Sequence, residues 1–164
     1  MTSLVRPETH PERRKRPPAR FGAGTRRTIA AVAEVVAPAA RPFAFDPAAV
    51  AVAFLEDYVA YMPGLLARLF PVGLFAFEWA AVLFGGGRRF SRLDAAGRRR
   101  YVERVERSRL LAPLLDVWTA VRGLVACAIY SQPEAARRMG YAHQPWLDAK
   151  TAERRERFGA PEPW

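Results

Sequence analysis

The chain has 164 residues, 51% of them hydrophobic and 12% aromatic, with 26 Lys and Arg against 16 Asp and Glu, a net charge of +10. That much apolar material excludes a wholly disordered chain, and the length fits one domain. One cysteine excludes an internal disulfide framework, and two histidines plus one cysteine fall short of the ligands of an ordinary zinc cluster.

Residues 1–24 read as a basic arm. Four prolines and the run Arg13-Arg14-Lys15-Arg16 leave little apolar surface to offset the entropy of ordering. Such an arm is solvated and can touch phosphate surfaces. A helix is predicted over 25–37, with Thr25 at its N-cap, Ile29, Val32, Val35 and Val36 at helical spacing, and Pro38 stopping it. Thr25-Arg26-Arg27-Thr28-Ile29 also resembles a twin-arginine export signal, but Glu34 interrupts the short apolar region and a charged arm precedes it. The expected location is cytoplasmic or peripheral on the inner face of a membrane.

Asp46-Pro47 has the form of an N-cap followed by proline at the first helical position. The helix over 47–62 carries Val50, Phe54, Leu55, Tyr58, Val59 and Met62 on one side, and Pro63-Gly64 breaks it. A piece over 64–70 leads to Pro71, and the next helix, 72–84, is apolar on nearly every side: Leu74, Phe75, Phe77, Trp79, Leu83 and Phe84. Thirteen residues reach about 20 Å, short of a bilayer core. A helix apolar all round is central core, an interfacial segment or a docking surface, so these six residues are the candidate contacts for a partner or membrane. Glu78 in its middle requires an arginine or hydrogen-bond donors.

Gly85-Gly86-Gly87 ends that helix, and a basic block follows. From 88 to 109 there are nine arginines against three acids; Arg88, Arg89, Arg92, Arg98, Arg99 and Arg100 form the candidate basic face. Ser91-Arg92-Leu93-Asp94 has a capping pattern for a helix over 92–108 with Tyr101, Val102 and Val105 inward. Leu111, Leu114, Leu115, Trp118, Val121, Val125 and Ile129 stripe the next helix, 110–130, where Cys127 is expected as a small core residue. Ser131-Gln132-Pro133-Glu134 is a capping box for a short helix ending at Gly140. Tyr141 and Trp146 are placed to fold back as anchors, and 147–164, with balanced charge, reads as a frayed helix or tail. The fold class is all-α: a compact bundle of five or six helices over 25–146 between two tails.

No catalytic constellation stands out. The triple glycine lacks the strand and the Lys-Ser/Thr ending of a phosphate loop. His10 falls in the arm, and His143 has no partner carboxylate or nucleophile near it in sequence. Asp57, Glu78 and Asp116 sit in apolar contexts and read as members of buried ion pairs with arginines.

The segment Thr25-Arg26-Arg27-Thr28-Ile29-Ala30-Ala31-Val32-Ala33-Glu34-Val35-Val36-Ala37-Pro38 resembles the opening helix of gluconate 2-dehydrogenase subunit 3 type proteins. Phe90-Ser91-Arg92-Leu93-Asp94, Arg100-Tyr101, Arg107-Ser108-Arg109, Ala128-Ile129-Tyr130-Ser131 and Gly140-Tyr141 are similar to the helical N-terminal region of long-chain alcohol oxidases. The resemblance spans roughly residues 25–146. It implies a non-catalytic small subunit of a flavin-dependent oxidoreductase of the glucose–methanol–choline class, acting on an alcohol, sugar or sterol. FAD and the catalytic groups would lie on the partner subunit, with no cofactor or metal on this chain. The alternative from charge alone is a basic helical nucleic-acid-binding protein.

Overall fold

The computed structural model describes residues 17, 19–37, 43–140 and 143–159, among which there are seven α-helices and no strand. The helices are α1 (Ala23–Val36), α2 (Pro47–Tyr58), α3 (Gly64–Phe84), α4 (Ala95–Arg107), α5 (Ala112–Tyr130), α6 (Pro133–Arg138) and α7 (His143–Phe158). Short 3-10 turns occupy Val59–Tyr61, Phe90–Arg92 and Arg109–Leu111.

α5 is the central element and touches α1, α2, α3, α4 and α6. Of its predicted stripe, Trp118, Val121, Val125 and Ile129 are buried, with Leu111 just ahead of the helix, while Leu114 and Leu115 are half-buried. Tyr101, Val102 and Val105 are buried on α4, as their spacing predicts. The heart of the core is aromatic. The Phe77 ring stacks on Trp118 (centroids 5.8 Å apart) and meets Phe90 and Tyr101 edge-on at 5.0 and 5.1 Å, the geometries aromatic quadrupoles favour.

Several boundaries differ from expectation. The basic arm does not run to residue 24. Phe21 is buried near Phe70, with ring centroids 6.2 Å apart, and α1 starts at Ala23 with Gly22, not Thr25, at its N-cap. Glu56 accounts for this, because its carboxylate accepts from the Phe21 N–H (2.9 Å) and its carbonyl from the Ala19 N–H (2.9 Å). Residues 1–16 and Pro38 lie outside the described residues. The C-terminal segment forms α7, whose described side chains, Trp146 among them, are exposed; Tyr141 lies outside the described residues.

Pro71 does not divide the apolar segment, and α3 runs unbroken through it for 21 residues, about 31 Å. The only backbone bond a proline at 71 removes is the one to the Ala67 carbonyl, and α3 packs on α5 and α1. α3 ends where Gly86 and Gly87 take φ of +102° and +82°, values that side chains resist. The Gly87 N–H closes the end onto the Val82 carbonyl at 3.1 Å.

Candidate functional site

α3 places its residues on two faces of opposite destiny. Leu74 and Phe77, expected among the docking residues, are instead buried in the core. Phe75, Trp79, Leu83 and Phe84 are exposed, by 64%, 40%, 79% and 36%. Leu65, Leu69 and Val72 are exposed too, beyond the six residues expected as docking contacts. Spacings of four and three residues put Leu65, Leu69, Val72, Ala76, Trp79 and Leu83 along one side of the helix. α5 lies beside this stripe, and its outward residues include the small Ala112, Thr119, Ala120, Gly123 and Cys127 together with Asp116 and Arg122. Cys127 is therefore exposed, not core.

The two helices approach closely because residue 73 is glycine. A Cβ there would sit 3.1 Å from a Val117 methyl. Above that contact lies an open groove of ≈ 840 Å³, lined by Tyr58, Leu66, Phe70, Val117, Ala120 and Leu124 among others. Its one acid is Asp116, which is exposed and not the buried ion-pair member expected. α3 and the stretch Arg109–Tyr130 are each long and apolar enough to cross a membrane, and only 22% of the most apolar window of each is buried.

Glu78 is buried, but arginine does not hold it. It accepts hydrogen bonds from the Thr28 hydroxyl (3.2 Å), the Ser91 N–H (3.0 Å) and the Ser91 hydroxyl (2.5 Å). Short hydroxyls reach a carboxylate pinned between α1, α3 and the 90–92 turn. Beside it, the buried Tyr101 hydroxyl donates to the Phe77 carbonyl at 3.0 Å. Burial, and secondly the Glu78 charge, push this phenol's pKa up from its ordinary 10.0. Asp57 is half-buried.

The capping patterns also carry different duties. Asp94, not Ser91, caps α4, accepting from the Gly97 N–H at 2.6 Å, which frees Ser91 for Glu78. Glu134 leaves the α6 cap and binds the Ala44 N–H (3.0 and 3.1 Å) and Arg138 (2.5 Å), tying the 43–46 connector to α6. Asp46 caps α2 as predicted, accepting from the Ala48 N–H at 2.9 Å.

The basic face divides as well. Arg98 is an internal tie, donating to Glu34 and to the Phe90 (3.4 Å) and Ser91 (3.2 Å) carbonyls. Arg88, Arg92, Arg99 and Arg100 are exposed. The Arg89 guanidinium lies 3.8 Å over the Trp79 ring. In the segment that resembles an export motif, Arg26 pairs with Glu56 at 2.8 Å, the Arg27 Nε donates to the Ala23 carbonyl, and Thr28 and Ile29 are buried. Those residues form part of α1.

Among the described residues no three His, Cys, Asp or Glu converge to hold a metal. His10 lies outside the described residues, and His143 begins α7 with its side chain outside them. No protein-family model, curated protein or solved structure matches the chain. The dominant surface feature is thus an apolar two-helix face with an arginine-rich margin, suited to docking.

Proposed function

We propose that the chain is a non-catalytic docking subunit, and that it serves a flavin-dependent oxidoreductase of the glucose–methanol–choline class. The observation that carries the docking role is the open apolar groove between α3 and α5, with the Leu66, Phe70, Val117 and Leu124 side chains in its lining. Apolar surface of this extent on a small domain marks an interaction site, and a groove between helices receives an apolar segment of another chain. The resemblance of residues 25–146 to small subunits of that class supplies the identity of the partner. On this reading the substrate, an alcohol, sugar or sterol, and FAD both belong to the partner, and this chain contributes assembly.

The test is affinity capture of the tagged full chain from its native extract in mild detergent, followed by protein identification and an absorbance scan for flavin. A yellow eluate containing a stoichiometric flavoprotein is expected. Leu66→Glu with Ala120→Trp, which charges and fills the groove, should release that partner. A colourless eluate rich in nucleic acid overturns the proposal and favours the basic nucleic-acid-binding alternative.

A further inference from the structure

The groove lies between α3 and α5, and from Leu69 on its edge the exposed α3 stripe continues to Phe75 and Trp79, where Arg89 and Arg92 lie beside it. We infer that this surface, Leu65, Leu69, Val72, Phe75, Trp79 and Leu83 with Arg88, Arg89 and Arg92 beside it, seats on an anionic lipid bilayer.

Three observations carry this. The stripe is long and nearly free of charge. It runs the length of α3, about 31 Å, and Arg68 is the only charged residue among the exposed ones of that helix. Next, the charge beside it is one-sided. From residue 58 to residue 102 the only acids are Glu78 and Asp94. The first is buried under Thr28 and Ser91, and the second is occupied as the α4 cap. Arg88, Arg89 and Arg92 have no carboxylate partner among the described residues. Third, the apolar and cationic parts meet at one place. Arg27, Arg89 and Arg92 share a pocket of ≈ 250 Å³ with Phe75 and Trp79, lined also by Glu78, whose carboxylate is taken up by Thr28 and Ser91, and Arg89 covers the Trp79 ring. A lipid surface offers this combination, with acyl chains beneath a layer of phosphates. Trp and Arg are the side chains that bridge the two zones.

Charge decides among occupants. A second copy in an isologous contact would set the same unpaired arginines against themselves. A nucleic acid would match the arginines and leave Leu65, Leu69, Val72 and Leu83 in water. An anionic bilayer satisfies both halves. The helix lies along the surface and does not cross it, because its other side is committed to the Phe77–Trp118 core and to Glu78.

Leu69 lines both this surface and the groove, whereas Phe75, Trp79, Leu83 and the three arginines do not line the groove, so the two readings are tested by different variants. The test is flotation of the purified full chain with two kinds of vesicle: pure phosphatidylcholine, and phosphatidylcholine containing phosphatidylglycerol. Strong flotation with the anionic vesicles only is expected, weakening as salt rises. Arg88→Gln, Arg89→Gln and Arg92→Gln together should weaken it on the order of 100-fold, at about fivefold per arginine. Phe75→Gln with Leu83→Gln, both at exposed positions, should abolish it with the helical circular dichroism unchanged. Absence of flotation, equal flotation with both vesicles, or indifference to both variants overturns the inference. So does a discrete dimer that fails to float. A chain that floats but captures no flavoprotein, or the reverse, separates this inference from the proposed function.

Discussion

Glu78 shows how one carboxylate can be held inside a helical body without a counter-ion. Its three donors come from α1 and from the turn between α3 and α4, so it cross-links three segments at a point with little water. Hydrogen bonds to a charged acceptor are stronger than neutral ones, and removing the acceptor orphans buried donors. Glu78→Ala should therefore cost about 3 kcal/mol, read as a lower urea midpoint at unchanged slope. Glu78→Gln keeps the shape and one acceptor and should cost less. Equal stability of Glu78→Ala and the parent would mean that the core does not depend on this cross-link. Tyr101 gives a pH signature from the same neighbourhood. Its folded pKa is raised by burial first and by Glu78 second. The unfolded phenol loses its proton near pH 10.0, while the folded one keeps it. Stability is thus fully present below pH 10 and falls as pH rises above it. Tyr101→Phe should flatten that alkaline limb while lowering stability at neutral pH by about 1 kcal/mol through the lost bond to Phe77. Thermal melts at pH 8 and above pH 10 check both halves.

At the scale of elements, α5 was legible in the sequence and α3 was not. The α5 apolar residues recur at three and four with polar or small residues between, so one face is plainly inward. α3 is apolar on every side, and nothing in its composition separates the buried Leu74 and Phe77 from the exposed Phe75 and Trp79. That partition is set by which neighbours arrive, namely Tyr101, Trp118 and Phe90 from three later segments. Capping boxes misled for a related reason: Ser91 and Glu134 fit a local pattern, but long-range partners claim them. Pro71 poses the converse case, since local rules break the helix there and tertiary packing overrides them. Since packing keeps α3 helical through the proline against its intrinsic penalty, Pro71→Ala should return a backbone bond to Ala67 and stabilise the fold by about 1–3 kcal/mol. A raised Tm with unchanged helical signal is the expected result. A fall would show that the ring itself is needed where it packs.

For the molecule as a whole, an apolar stripe and a net charge of +10 act in opposite senses on association. Like-charge repulsion between copies is long-ranged and is screened by salt. Contact between Leu65, Val72, Phe75 and Leu83 of neighbouring molecules is short-ranged and is not weakened by salt. The isolated chain should therefore disperse best at low ionic strength and self-associate as salt rises, the reverse of a protein held together by ion pairs. Phe75→Asp with Trp79→Asp tests whether the stripe causes this. Both residues are exposed, so the double variant should keep its fold and remain monomeric at salt concentrations where the parent associates. Phe77→Asp, one residue pair away on the same helix, places a charge in the aromatic heart, where Phe77 is 0% exposed, and should abolish folding. Light scattering across a salt series, with circular dichroism on each variant, reads all three. Association that survives the double substitution would move its cause off α3. Unfolding of the double variant would show that this face is packed against some part of the protein itself.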